Sequence, residues 1–206
     1  MCGIAGYMGR APLAAPVISA GLDKMINRGP DRRASALFNS GEMHVALLHS
    51  RLSIIDLDAR SDQPFTIGNC TIVFNGEIYN YIELRKVLES EGVAFHTASD
   101  TEVLLQAYIR YGEDCVSRLE GMWSFAVYDR DRQKLFLSRD RFAEKPLYYL
   151  STPEGFWFGS EIKFIKALYG KSLRINNRQL LRYLVNGYKS LYKTEDTFFE
   201  EVREVR

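Results

Sequence analysis

Short apolar runs closed by turn residues recur along the chain: GIAGYMG (3–9), RASALFN (33–39), MHVALLH (43–49), CTIVFN (70–75), WSFAVYD (123–129), KLFLSR (134–139), PLYYLS (146–151) and GFWFGS (155–160). Runs of this length, rich in β-branched and aromatic residues, predict strands. KLFLSR follows WSFAVYD closely enough to be its hairpin partner, and a Pro-Glu-Gly turn joins the last two runs, so the pairing expected is antiparallel. Other segments carry helical spacing instead. Val17, Ile18, Leu22, Met25 and Ile26 predict a helix over 14–27, stopped by RGP. Ile82, Leu84, Val87 and Leu88 predict a second over 79–91, ended by Gly92. In SDTEVLLQAYIRYG (99–112), Ser99 and Glu102 stand at capping-box spacing and Gly112 closes a third. Weaker helical patterns occupy SEIKFIKAL (160–168) and NNRQLLRYLVNGY (176–188). The tail YKTEDTFFEEVREVR (192–206) is charged and shows no closing element. Strand clusters separated by helices suggest an α+β fold of two sheets with helices outside them, not a doubly wound parallel sheet.

Composition adds limits. With 206 residues the chain is expected to form one domain, burying about 70% of its unfolded surface. Lys and Arg total 27 against 26 for Asp and Glu, and no run of five like charges occurs. Nucleic acid and anionic membrane are therefore not expected as partners. No apolar stretch approaches a membrane span and no secretory leader is evident, which predicts a cytoplasmic location. The three cysteines, Cys2, Cys70 and Cys115, form no CxxC pair and have no histidine at ligand spacing, so neither a disulfide framework nor a metal site is expected.

Cys2 is the candidate nucleophile. A thiol attacks as its thiolate, which is scarce at the reference pKa of about 8.5. Removal of Met1 would give Cys2 a free α-amine, with a reference pKa of roughly 7.7–8.0, able to take the thiol proton. His44, His49 and His96 then need play no part. The plainer reading is a small apolar residue in an edge strand, but Gly3 and Gly6 leave the backbone open around the thiol. Asn75 and Gly76 end an apolar strand, where Asn-Gly is first a hairpin signal; here a helix follows, and the pair can instead supply oxyanion donors. Arg51 lies in the apolar segment LLHSRLSIIDL, suited to a carboxylate ligand or to an internal pair with Asp56. Asp100 is either a first-turn acid favoured by the helix dipole or the partner of an ammonium. Arg51 and Asp100 together complement an amino acid.

MCGIAG, RGPD, SRLSIIDL, FNGEIYNY, SDTEVLL, GMWSFAVYD, DRFAEKPLYY and FGSEIKFI stand in this order. In order and spacing the chain resembles the class II glutamine amidotransferases, above all the glutaminase domain of glutamine-hydrolysing asparagine synthetases. The resemblance implies an N-terminal-nucleophile hydrolase fold, a four-layer αββα sandwich of two stacked antiparallel sheets, as one domain over 1–206 whose tail from about 190 leads toward a synthetase domain. It implies Cys2 as nucleophile, Asn75 and Gly76 as the oxyanion hole, and Arg51, Leu52, Ser53, Ile54, Ile55, Glu77 and Asp100 as the glutamine site. Arg28 to Asp31 would belong to a loop closing over glutamine. L-glutamine is then the substrate and a synthetase domain or subunit the receiver of ammonia. No cofactor is expected in this chain; ATP and Mg²⁺ would belong to the synthetase domain, for which the sequence holds no pyrophosphate loop. The family usually has Gly and a small apolar residue where this chain has Ala143 and Glu144. Two further readings stay open: amidation of another carboxylate, such as a sugar acid, and a non-catalytic interaction module. A homodimer is the assembly kept in view.

Overall fold

The computed structural model describes residues 1–187 and 194–206. Two antiparallel sheets form its centre. The six-stranded sheet runs β10 (Val202–Glu204), β8 (Tyr148–Thr152), β9 (Gly155–Gly159), β1 (Gly3–Gly9), β3 (Met43–Arg51) and β2 (Arg32–Ser40). The four-stranded sheet runs β4 (Phe65–Ile67), β5 (Cys70–Ile78), β6 (Gly121–Asp129) and β7 (Lys134–Arg139). Helices α1 (Ala15–Met25) and α4 (Ile162–Tyr169) cover the outer face of the first sheet. Helices α2 (Tyr81–Ser90) and α3 (Asp100–Tyr111) cover that of the second.

The period of two along each strand explains the layering. In β3, Val45 and Leu47 face the other sheet while Ala46 and Leu48 face α1 and α4. In β5, Val73 points between the sheets while Ile72, Phe74 and Ile78 pack under α2 and α3. In β6, Ala126 and Tyr128 point inward and Phe125 and Val127 outward. Three apolar layers therefore separate four layers of structure, with each fully buried large aliphatic or aromatic side chain contributing about 1.5–3 kcal/mol. This is the N-terminal-nucleophile hydrolase architecture that the sequence resemblance implies.

Three local expectations are revised. Asn75 and Gly76 neither turn nor end the strand: β5 continues through them to Ile78, opposite Ser124 and Trp123 of β6. Ser99 does cap α3, accepting from the Thr101 N–H at 3.1 Å, but Glu102 does not return to close the capping box. Its buried carboxylate accepts instead from the N–H groups of His96 and Thr97, at 3.0 and 2.6 Å, and so ties down the approach to the helix. The tail does close an element. Val202, fully buried, opens the short edge strand β10 beside β8. The fifth helix, α5, spans Asn177–Asn186; its expected continuation to residue 188, and the start of the linker expected from about 190, lie outside the described residues.

Ala143, where the family favours glycine, adopts a left-handed conformation with φ of 59°. That region crowds Cβ against the backbone at about 1–2 kcal/mol, while glycine loosens the unfolded chain by about 0.4–1 kcal/mol. Ala143→Gly is accordingly expected to stabilise the domain by roughly 0.5–1 kcal/mol. A higher urea midpoint at unchanged slope is the expected observation; a lower midpoint contradicts the strain.

Candidate active site

Cys2 precedes the first residue of β1, the central strand of which Gly3 lies against Ser50 of β3. A Cβ on Gly3 would sit 2.7 Å from the Ser50 Oγ, and one on Gly29 would sit 2.3 Å from the Ser50 carbonyl carbon. Glycine at both places lets the RGPD segment close onto the strand ends. There Arg28 donates from Nε to the Cys2 carbonyl at 2.8 Å and pairs with Glu161 at 3.1 Å. The Asp31 carboxylate accepts from the Ser53 N–H at 2.8 Å. The Cys2 thiol touches the Leu52 backbone, with the Leu52 N–H 3.4 Å from Sγ. Burial raises its pKa, against weaker lowering by the Leu52 N–H and the neighbouring cationic groups. A nucleophile in this setting needs a base. None of the three histidines lines the cavity: His49 is buried with Nε2 on the Phe74 carbonyl, and His44 and His96 lie elsewhere on the surface.

A cavity of about 200 Å³ opens beside Cys2. Arg51, Leu52, Ile54, Ile55, Asn75, Gly76, Glu77 and Asp100 all line it, gathered from three separated stretches of chain. Ser53 is the one predicted site residue outside the lining, its N–H being directed to Asp31.

The edge of β5 supplies donors. The Trp123 N–H and carbonyl turn away from β5 to Asp140, so the opposed Gly76 belongs to a pair that exchanges no ladder bonds. Phe74, Gly76 and Ile78 thus aim their N–H groups to the same open edge. The outer two are capped, Phe74 by Gln63 Oε1 at 2.6 Å and Ile78 by Asp100 Oδ2 at 3.1 Å. Gly76 lies between them, at the cavity. The Asn75 side-chain amide, buried, lies 3.4 Å from the Ser124 hydroxyl and lines the same wall.

Arg51 lines the cavity, and its guanidinium forms an internal pair, with the Asp62 carboxylate at 2.6 Å and not with that of Asp56. Asp56 offers its backbone carbonyl to Arg51 and spends its carboxylate on the Ala98 N–H at 2.9 Å. Ile55 and Asp58 carbonyls complete the ring of acceptors. The arginine therefore organises residues 55–62 while forming one wall of the cavity.

Asp100, 4% exposed at the start of α3, is pushed up to about 6, chiefly by burial and against the lowering from the Ile78 N–H; Glu77 adds to the rise. A native carboxyl held above its unfolded pKa stabilises the fold below that unfolded value, and the benefit is lost as pH rises through about 6. At neutral pH the charged form is thus costly. Asp100→Asn is expected to melt higher than the parent protein at pH 7.5. Calorimetry on a Cys2→Ala background should show affinity for glutamine falling as pH drops through about 6, with that dependence gone in Asp100→Asn. Unchanged affinity between pH 5 and 8 would contradict the assignment of Asp100 to a ligand ammonium.

The family model for the glutamine amidotransferase domain matches residues 1–206. The chain belongs to that family. It is 39% identical over 191 residues to glutamine-hydrolysing asparagine synthetase 1 of Bacillus subtilis, covering 89% of this chain and 29% of that protein. To asparagine synthetase 3 of the same organism it is 41% identical over 174 residues, covering 81% of this chain and 28% of that protein. The chain thus spans under a third of the length of these relatives. Among solved structures, the glutamine phosphoribosylpyrophosphate amidotransferase of B. subtilis superposes with a TM-score of 0.67 at 23% identity, over 82% of this chain and 44% of that one. That likeness carries the fold.

Within this amidotransferase domain, the sequence reading missed residues whose role is to hold others. Gln63 bridges β5 and α3, accepting from Phe74 and donating from Nε2 to Thr101 Oγ1 at 3.2 Å. Asp62 pairs with Arg51, and Lys145 reaches the cavity from the turn before β8. Lys145 had a signal, a lone cation ahead of the apolar run PLYY; Gln63 and Asp62 had none. Cys70 and Cys115 are buried, with burial pushing their thiols up to about 11 and about 12, as inert core cysteines should be. Among the described residues no cluster of His, Cys, Asp and Glu could hold a metal, and no helix is long and apolar enough to cross a membrane.

Proposed function

We propose that this domain hydrolyses L-glutamine to glutamate and ammonia through a thioester on Cys2. The observation that carries the reading is the single cavity shared by Cys2, Arg51, Asn75, Gly76 and Asp100. With Met1 removed, the Cys2 α-amine takes the thiol proton. Sγ then bonds to the glutamine amide carbon, and the oxygen, now negative, accepts from the Asn75 amide and the Gly76 N–H. The carbon–nitrogen bond breaks as the amine returns its proton to the leaving nitrogen, which departs as ammonia. Water adds to the thioester and the carbon–sulfur bond breaks, giving glutamate and restoring the thiol. Asp100 receives the substrate ammonium. Arg51 receives the carboxylate, using donors that now serve the Ile55 and Asp56 carbonyls, with the backbone from Leu52 to Ile55 and Glu77 completing the site.

The relatives named as glutamine-hydrolysing asparagine synthetases support an asparagine-synthetase role; on that reading ammonia passes, in the cytoplasm, to a synthetase domain where ATP and Mg²⁺ would serve the amidation of aspartate. Ala143, Glu144 and Pro146 line a second cavity of about 730 Å³ beyond the turn that carries Lys145, and the exposed Phe142 stands at its rim. This face suits contact with the receiving domain. Sugar-acid amidation has no observation in its favour. Met1-free protein incubated with L-glutamine should release glutamate and ammonia in equal amounts; release of neither would favour the interaction-module reading.

A further inference from the structure

Lys145 is placed with unusual firmness for a lysine. The Asp140 carboxylate fixes its turn, accepting from the N–H groups of Phe142 at 3.1 Å and of Glu144 and Lys145 at 3.0 Å. The residue is only 6% exposed and lines the cavity with Cys2. Its ammonium donates to the Met1 sulfur at 3.3 Å, and among the described residues it has no carboxylate within ion-pair distance. A thioether is a weak acceptor, so this buried cation is poorly compensated. The other charges at this end of the cavity are partnered or ligand-facing. Arg28 pairs with Glu161, Arg51 with Asp62, Asp100 accepts from Ile78, and Glu77 lines the wall.

We propose that Lys145 acts through the nucleophile's own amine: once Met1 is removed, its ammonium faces the Cys2 α-amine and keeps that amine neutral, ready to accept the thiol proton. The inference rests on the glutaminase reading above. Like-charge repulsion disfavours a protonated resting amine. The same cation favours the thiolate, so it does not oppose the proton's passage from sulfur to nitrogen as strongly as it opposes a proton already resting on the amine. Lys145 is a positioning residue in this sense, since it need not touch glutamine.

Two variants and one measurement on the unaltered sequence test this. In Met1-free protein, Lys145→Met should move the acid limb of kcat/KM for glutamine up by roughly one pH unit, with the pH profile of Cys2 alkylation by iodoacetamide moving likewise. Lys145→Arg should restore both. An unmoved limb in a Lys145→Met protein that melts as the parent does would overturn the proposal. Should Lys145→Met not fold, titration of the ¹⁵N-labelled Cys2 amine in the parent protein decides. A pKa below the ordinary range of about 7.7–8.0 supports the role of Lys145, and one within or above that range refutes it. This titration needs no turnover, so a domain that fails to hydrolyse glutamine would sink the glutaminase reading separately.

Discussion

Cys2→Ala should abolish glutamine hydrolysis while leaving the domain folded. The thiol makes little of the fold: its contacts are the Leu52 N–H and carbonyl, at 3.4 and 3.6 Å. The backbone at this position is held by other means, the Arg28 bond to the Cys2 carbonyl and the pairing of Gly3 with Ser50. Loss of Sγ is therefore expected to change stability by no more than about 1 kcal/mol. Chemically nothing replaces it. Ser61, Ser99 and Thr101 also line the cavity, but Ser99 Oγ accepts from the Thr101 N–H in capping α3, Thr101 Oγ1 accepts from Gln63, and Cys70 and Cys115 lie in the core. The variant should still bind glutamine through Arg51 and Asp100. Hydrolysis within tenfold of the parent rate would place the nucleophile elsewhere.

Asn75→Ala is the second large effect, a fall in kcat of about 10²–10³ with KM changed much less. The amide is fixed before substrate arrives, buried in β5 and steadied by Ser124 at 3.4 Å. A donor held in place adds most when charge develops, so its removal is felt in the transition state and not in ground-state binding. Truncation also leaves the Ser124 hydroxyl without this neighbour, a cost of roughly 1 kcal/mol in stability. Comparison must therefore be made well below the melting transition. A kcat within about threefold of the parent would remove Asn75 from the oxyanion hole and leave Gly76 as its only protein donor among the residues assigned here.

The layers of the fold were legible because strands and helices announce themselves through period and punctuation. The eight apolar runs became strands and the five helical patterns became helices. What local pattern could not supply was pairing at distance. The tail hides an edge strand because β10 is three residues long and has a single fully buried apolar side chain, Val202; its stability comes from β8. Asn75 and Gly76 carry a turn signal that the sheet overrides, since β6 pairs straight through them. The site divides in the same way. Cys2, Arg51, Asn75, Gly76 and Asp100 stood out by residue type in unusual local settings. Asp62 and Gln63 did not, because each is defined by a partner that no local pattern announces, Arg51 and Thr101; Lys145 stood out only as a lone cation, and its contact, Met1, lies 144 residues away along the chain.

The most direct test of the central claim joins intact mass to labelling with the glutamine-analogue electrophile 6-diazo-5-oxonorleucine, followed by peptide mapping. The account predicts a mass lacking Met1 and a single adduct on Cys2, suppressed by excess L-glutamine. Protein lacking Met1 that takes no label, or takes it at a residue other than Cys2, would contradict it.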